Sequence, residues 1–374
     1  MVWQSPLGGP ANDRTSRFPL TAKGDVRWCV PLPYDDVMGI SVTAEGTCFV
    51  SAGEGITALD GPVVSWSVAT DVIWSPLLLD DGLLVTGETD GLTVREQGTG
   101  RLVDTIEVSR LRSDPVALPN GLVAFLTSRG SKIILRAVTP TGQWAWEQAL
   151  LGWSLGRPLV QADHVIVADG ATLRAFSAAG DPVWTVELGQ LEEQAGDVGV
   201  DGPLVGLSER RVLTAFRTPQ EGGYALVDTR SGTVEALPTQ LPAKSLAVPL
   251  AAGDLLVAPG WPARNTFGQF FPTVVVVDIV TGDRLIEREV PWAADSMAAG
   301  STGVVAVAGS PSAAHWSQHH RPGFELTHDC YVLFLDKTRV LGEWKPEKPV
   351  TGPLAVGSDG DLLVPLSGEL VSIE

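Results

Sequence analysis

One short pattern recurs along the chain and constrains its fold more than any other feature. The pattern is a strand-like segment in which two variable residues are followed by Pro-Leu or Pro-Val. Self-similarity at a spacing of a few tens of residues indicates a solenoid, a propeller or an array. The six clear copies are WSPLLL (74–79), SDPVAL (113–118), GRPLVQ (156–161), DGPLVG (201–206), AVPLAA (247–252) and TGPLAV (351–356), and the two weaker copies are MGISVT (38–43) and DSMAAG (295–300).

Each copy begins a unit of four predicted strands. An aliphatic run follows the copy after a turn, as in VIVADG (165–170), and a strand, a turn and a last strand follow it, as in LRAVTPTGQWAW (135–146). Gly, Asp and Pro bound these runs, as is typical of strands. The units begin at intervals from the mid thirties to the mid fifties. This period predicts the blades of a propeller and disfavours helical solenoid repeats.

The two ends of the chain predict how the ring closes. The eighth unit stops at LVSIE (370–374), where the other units enter the turn before their fourth strand, while GDVRW (24–28) has the form of GQWAW (142–146). We therefore expect residues 24–32 to complete the C-terminal blade, because a closed ring leaves no central sheet edge exposed. The sequence predicts an all-β chain: one eight-bladed propeller of four-stranded antiparallel blades over residues 1–374, with an N-terminal extension at 1–23.

The fourth-strand turns resemble those of propellers built from pyrroloquinoline-quinone-type repeats, which carry an Ala-x-Asp-x-x-Thr-Gly-x-x-x-Trp pattern. Asp278, Thr281 and Gly282 match this pattern, and three units reproduce its Gly-x-x-x-Trp ending at Trp28, Trp146 and Trp184, whereas Ile286 replaces the tryptophan of the sixth unit. The resemblance implies that these tryptophans dock between neighbouring blades. The tryptophans with this implied role are Trp28, Trp66, Trp146, Trp184 and Trp344.

The resemblance also implies two known types of activity. Quinone-dependent dehydrogenases of this fold are exported and hold a calcium ion and a pair of adjacent cysteines, whereas Cys29, Cys48 and Cys330 are far apart in this sequence. A second relative, the propeller lipoprotein of outer-membrane barrel assembly, is a binding scaffold that needs a lipidated cysteine behind a signal peptide. Neither signature is present, and we predict a protein that uses no cofactor.

Charge and cysteine content restrict partners and compartment. Twenty-six basic against forty-four acidic residues leave a net charge of −18, which repels phosphate backbones and anionic lipid surfaces. We therefore expect no nucleic-acid partner and no membrane partner. Three separated cysteines do not form a disulfide framework, and no signal-peptide pattern opens the chain. We expect a cytoplasmic monomer.

Charged and aromatic residues precede the repeated prolines, at the entrance to the strands that should line the ring axis. Trp74, Arg112, Asp114, Arg157, Asp201 and Asp295 occupy these positions. They predict a polar funnel with an aromatic wall that binds a small molecule or carries out proton transfer. The alternative is structural: Arg112 or Arg157 pairs with Asp114 or Asp201 around a solvated channel.

Two long insertions fall between the second and third strands of adjacent units. They are residues 259–272 and 310–328, and such loops are often functional. We expect them to form a hydrophobic lid over the funnel or a partner-binding patch; the alternative is that the two loops pack on each other. Four of the five histidines lie in the second insertion, but no ligand motif of known spacing accompanies them, and we predict no metal site. The insertions contain Trp261, Phe267, Phe270, Phe271, Trp316 and Phe324, with His315, His319, His320 and His328.

Two functions remain open at this stage. The first is a binding propeller that recognises a small molecule or a partner peptide without a cofactor. The second is an enzyme, a cyclase, isomerase or lyase, that applies acid–base chemistry to a hydrophobic natural-product-like substrate in the same funnel. The ligand-binding candidates are Trp74, Arg112, Arg157, Trp261, Phe270, Trp316, His320 and Phe324, and the catalytic candidates are Asp114, Asp201, Asp295, His315 and His319.

Overall fold

The structure, a computed structural model, places most of the chain in short strands. It describes residues 16–152, 156–161, 163–188, 199–200, 204–208, 210–217, 222–236, 250–252, 254–260, 273–291, 294, 296–309 and 330–374. Among these residues no helix is long and apolar enough to cross a membrane.

The strands are short and follow one another through tight turns. In chain order they are β1 (Val26–Pro31), β2 (Val37–Val42), β3 (Thr47–Ala52), β4 (Gly55–Asp60), β5 (Val63–Ala69), β6 (Leu77–Leu78), β7 (Leu83–Glu88), β8 (Gly91–Glu96), β9 (Leu102–Glu107), β10 (Val116–Ala117), β11 (Val123–Arg129), β12 (Lys132–Val138), β13 (Trp144–Ala149), β14 (Leu159–Gln161), β15 (His164–Asp169), β16 (Thr172–Ser177), β17 (Pro182–Glu187), β18 (Gly199–Val200), β19 (Val205–Ser208), β20 (Arg211–Arg217), β21 (Gly222–Asp228), β22 (Val234–Ala236), β23 (Leu250–Ala252), β24 (Leu255–Gly260), β25 (Thr273–Asp278), β26 (Arg284–Glu289), β27 (Ser296–Ala299), β28 (Val305–Gly309), β29 (Tyr331–Leu335), β30 (Val340–Trp344), β31 (Ala355–Val356), β32 (Leu362–Leu366) and β33 (Glu369–Ile373).

These strands form eight antiparallel sheets, and each sheet is one blade of a propeller. Blades 1 to 7 begin at β2, β6, β10, β14, β18, β23 and β27, and blade 8 consists of β31, β32, β33 and β1. In blade 5 the first strand is divided, because β18 and β19 both pair with β20. First strands of successive blades, such as β10 and β14 or β27 and β31, contact one another, so they surround the ring axis. The predicted eight-bladed all-β propeller is confirmed.

Blade 8 is completed by the N-terminal strand, as predicted. β1 pairs antiparallel with β33 from Val26 opposite Ile373 to Pro31 opposite Glu369. Beyond the strand, the Gly24 amide donates to the Glu374 carbonyl oxygen, and the Glu374 amide donates to the Asp25 carbonyl oxygen at 2.8 Å. The hydrogen-bond ladder therefore joins the two ends of the chain over their full overlap.

The N-terminal strap, residues 16–23, lies across blades 7 and 8. The Ser16 amide donates to the Ala299 carbonyl at 2.8 Å, and the Thr21 amide donates to the Gly360 carbonyl at 3.0 Å. Leu20 is only 4% exposed and belongs to the core cluster that joins blades 7, 8 and 1. A Cβ atom on Gly300 would lie 2.2 Å from the Leu20 backbone nitrogen, so only glycine permits this approach. This part of the predicted extension is packed structure.

Two tryptophans of the fourth strands, Trp66 and Trp146, dock against the next blade, as the resemblance implied. The Trp66 indole donates to the Gln97 carbonyl at 2.9 Å, and the Trp146 indole donates to the Ala178 carbonyl at 3.0 Å. A Cβ atom on Gly100 or Gly180 would lie 2.6 Å from the docked ring, and both glycines have positive φ. Each turn therefore covers the tryptophan of the preceding blade. Ile286 packs half-buried at the corresponding position of blade 6.

The strap predicts a stability test. Replacing Leu20 by alanine should lower the free energy of unfolding by about 2 kcal/mol or more, because it leaves a cavity in a packed core. The matched control is Leu151→Ala, since Leu151 is 93% exposed and its truncation removes little burial. Denaturant unfolding followed by far-UV circular dichroism measures both variants. Equal midpoints for the two would show that the strap contributes nothing to the ring.

Candidate functional site

The connections that enter the first strands share one face of the ring with the loops between second and third strands. The Thr70 amide donates to the Glu54 carbonyl at 3.2 Å, and the Val108 amide donates to the Asp90 carbonyl at 3.2 Å. In blade 8 the Ser367 amide donates to the Pro349 carbonyl at 3.1 Å. We call this surface the entry face. It is the face on which the sequence predicted the funnel and the two insertions.

The positions before the repeated prolines form a recurrent bulge in the first strand. In blade 2, Val72 opposes Glu88 and Leu77 opposes Val85, so four residues face two across the strand pair. Blades 3 and 8 show the same spacing, at Leu111–Val116 and at Val350–Ala355. Proline has no amide hydrogen to donate to the ladder, so the strand must leave it at this point. Side chains in the bulge therefore do not alternate between the two faces of the sheet as they do in a regular strand.

Side chains near the axis satisfy the backbone groups that the bulge releases. The Ser75 hydroxyl donates to the Met38 carbonyl of blade 1 at 3.0 Å, and the Ser75 amide donates to the Asp114 carboxylate of blade 3 at 3.0 Å. Between blades 7 and 8, the Leu354 amide donates to the Ser296 hydroxyl at 2.7 Å. These bonds connect neighbouring blades close to the axis, where the sheets are narrowest.

Asp114 and Arg157 form a charged pair between blades 3 and 4. Arg157 is 4% exposed, and burial lowers its pKa to about 10 against the opposing effect of the Asp114 charge. Burial also raises the pKa of the half-buried Asp114, while the Arg157 charge and the Ser75 amide favour the carboxylate. Each charge therefore stabilises the other against desolvation. Of the pairings that the sequence left open, this charge interaction favours Arg157 with Asp114.

Trp74 and Arg112 lie beside this pair and behave differently from each other. Trp74 packs over Gly87, where a Cβ atom would lie 2.6 Å from the indole, and its half-buried ring belongs to the core between blades 2 and 3. Its indole nitrogen is buried and has no hydrogen-bond partner among the described residues. Arg112 is exposed, and its Nε donates to the Ser128 hydroxyl at 3.1 Å. The Arg112 charge is therefore accessible to solvent and to a ligand, whereas Trp74 is part of the apolar core beside it.

Several predicted site residues lie outside the described residues. The strands that flank both insertions are paired at their ends: Gly260 pairs with Thr273 in blade 6, and Gly309 pairs with Tyr331 in blade 7. These ends lie on the entry face of adjacent blades. Within the described parts of the chain, no three His, Cys, Asp or Glu side chains converge in a way that could hold a metal ion. The candidates outside the described residues are Asp201, Asp295, Trp261, Phe270, His315, Trp316, His319, His320 and Phe324.

Gln161 is a buried polar residue on the opposite face of the ring that sequence reasoning did not single out. It ends the first strand of blade 4 and is 7% exposed. Its Nε2 donates to the Arg211 carbonyl of blade 5 at 3.2 Å, whereas its Oε1 is buried without a hydrogen-bond partner among the described residues. The only signal in the sequence was a polar residue at the end of an otherwise apolar segment.

Comparison with known proteins identifies the fold. No family model matches the chain, and no curated protein matches its sequence. BamB from Moraxella catarrhalis superposes with a TM-score of 0.63 at 16% identity, covering 94% of this chain and 99% of that chain. Quinohemoprotein alcohol dehydrogenase from Comamonas testosteroni gives a TM-score of 0.66 at 13% identity, covering 100% of this chain and 80% of that chain.

A third similar structure is the dihydro-heme d1 dehydrogenase NirN, with a TM-score of 0.57 at 16% identity, covering 93% of this chain and 75% of that chain. The likeness shows the fold. At these identities it carries no information on activity or on family.

The charged pair predicts a double-mutant cycle. Asp114→Asn keeps an acceptor for the Ser75 amide but removes the charge, so it should lower the free energy of unfolding by about 3 kcal/mol because the buried Arg157 loses the opposing negative charge. Arg157→Met should recover part of this loss when combined with it, with a coupling of about 1–3 kcal/mol. Urea unfolding at neutral pH measures all four proteins. Additive effects of the two substitutions would contradict the pairing.

Proposed function

We propose that this protein is a cofactor-independent binding propeller that recognises a small molecule or a partner peptide on the entry face. The observation that carries the proposal is the arrangement around Arg112. This exposed guanidinium lies two residues before Asp114 in the bulge of blade 3, and the Asp114 carboxylate accepts a hydrogen bond from Ser75, the residue after the half-buried Trp74. Concave sites with a few fixed polar groups and an aromatic wall are typical of ligand recognition.

The two insertions support the same location. Their ends lie on the entry face of blades 6 and 7. Their sequences concentrate aromatic residues and histidines, and aromatic side chains provide much of the binding energy at recognition surfaces. We further propose that the protein acts as a cytoplasmic monomer of the quinone-type repeat family, with the net charge of −18 keeping it away from nucleic acids and anionic membranes.

A ligand screen tests this proposal. A fragment library and a phage-displayed peptide library are screened against the whole chain, and affinities of the hits are measured by calorimetry. Arg112→Ala or Trp316→Ala should reduce the affinity of a genuine ligand by about 2 kcal/mol while the melting temperature is unchanged. Arg284→Ala on the outer strand of blade 6 is the control and should leave affinity unaltered. Hits that bind all three variants equally would place the binding surface elsewhere.

The raised pKa of Asp114 favours a second candidate, an enzyme using acid–base chemistry. A perturbed acid beside a polar funnel is typical of a catalytic centre. A metabolite extract incubated with the protein and analysed by mass spectrometry distinguishes the two functions, since an enzyme consumes a compound that a binding protein returns unchanged. Asp114→Asn should then slow consumption by roughly two to four orders of magnitude. Oxidation of alcohols or sugars after addition of pyrroloquinoline quinone and calcium would contradict the cofactor-independent proposal.

A further inference from the structure

A second concave site lies on the opposite face of the ring, where blade 8 meets blade 1. We call it the closure cleft. It has a volume of about 190 Å³ and is formed by the start of β1, the first turns of blades 8 and 1 and the β4–β5 turn. The residues used below are Arg27, Trp28, Glu45, Cys48, Asp60, Asp359 and Asp361. The cleft is independent of the entry face and of the function proposed for it.

A short turn explains why the cleft is open. In blade 2, residues 97–101 separate the third and fourth strands and cover Trp66, and in blade 4 residues 178–181 cover Trp146 in the same way. In blade 1 only Gly61 and Pro62 separate β4 from β5. Trp28, which stands at the corresponding place in blade 8, therefore lines a cleft where Trp66 and Trp146 meet a turn. The space that a turn fills beside Trp66 and Trp146 is therefore open beside Trp28, where a ligand can enter.

Asp361 places a buried carboxyl group in this cleft. It is 5% exposed and accepts a hydrogen bond from the Ser372 hydroxyl. Among the described residues no Lys or Arg side chain forms an ion pair with it, since Arg27, the basic residue that lines the cleft, pairs with Asp359. A buried carboxylate without a counter-charge is costly, so a cation in the cleft would offset its desolvation.

The neighbouring groups determine what kind of cation fits. Burial raises the pKa of the Cys48 thiol, and the Asp361 charge raises it further, so Cys48 is a neutral, apolar part of the wall. The exposed Glu45 and Asp60 add negative charge at the rim. Arg27 pairs with Asp359 at 3.5 Å, and these two charges cancel. Trp28 lines the cleft, and a tryptophan ring attracts organic cations, whereas its apolar character disfavours a strongly hydrated metal ion.

We propose that the closure cleft binds a small organic ammonium ion, with its charge between Trp28 and Asp361. The volume accommodates a group of several non-hydrogen atoms, such as a trimethylammonium head. The described residues offer no set of three His, Cys, Asp or Glu side chains suited to a metal ion, which favours an ammonium ligand over a coordinated metal. The net charge of −18 raises the local concentration of any cation near the surface.

Choline chloride is the probe, and its neutral carbon isostere 3,3-dimethylbutan-1-ol is the ligand control. Binding to the full chain is followed by calorimetry and by the indole N–H signal of Trp28 in a ¹H–¹⁵N spectrum, assigned with Trp28→Phe. Choline should bind and shift this signal, and the isostere should bind at least about tenfold more weakly, since it has the shape but not the charge. Sodium and calcium chloride should not displace choline beyond the effect of ionic strength.

Asp361→Asn should weaken choline binding by at least about tenfold. Asp60→Asn changes only an exposed rim residue, so it folds normally and should weaken binding several-fold. Asp80→Asn, an exposed acid in the first turn of blade 2 on the same face, is the matched control and should bind choline like the parent chain. Absence of choline binding, equal binding of the isostere, displacement by calcium, or equal affinities of the Asp60 and Asp80 variants would overturn the proposal.

Discussion

The pairing of β1 with β33 is the interaction on which the rest of the ring depends. Each blade packs its faces against two neighbours, so a ring that opens anywhere exposes two apolar sheet faces and not one. The core cluster at this junction combines Leu20 of the strap, Val30 of β1, Ile40 of blade 1, Phe334 of blade 7 and Val364 of blade 8. Closure therefore depends both on the β1–β33 hydrogen bonds and on the buried apolar side chains of this cluster. Breaking the hydrogen bonds would expose the side chains to water, and losing the side-chain packing would expose the hydrogen bonds.

Near the axis the chain meets a different constraint, because eight strands converge where there is little room for side chains. The proline bulge releases backbone groups, and Ser75, Asp114 and Ser296 satisfy them across blade boundaries. Polar residues at these positions are thus part of the architecture as well as candidates for recognition. Arg112 differs from them, because its charge is exposed beyond the network that holds the blades together. That difference separates the groups that maintain the ring from a group free to contact a ligand.

Residues that repeat were predictable from the sequence, whereas residues that break the repeat were not. The copy at 74–79 contains β6, and the match between GDVRW and GQWAW identified the closing strand, because repetition reveals equivalent positions without any knowledge of contacts. The strap at 16–23 has no counterpart in other units, so nothing in its sequence indicated packing. The contact of Ser75 with Asp114 depends on how adjacent blades are rotated, which a strand pattern does not specify.

The closure cleft depends both on the repeat and on a departure from it. It arises where one turn is shorter than its equivalents, and it is lined by Trp28 of the closing strand and by Asp361 from the other end of the chain. A ligand there would touch the closing strand β1 and the first turn of the blade that it completes, and it would bind the closed ring in preference to an open one. By mass action such a ligand stabilises closure by RT ln(1 + [L]/Kd), about 2.7 kcal/mol at a hundredfold excess over Kd. A ligand bound in the closure cleft would in this way stabilise the closed ring, and the closed ring holds the residues of the entry face on the opposite side.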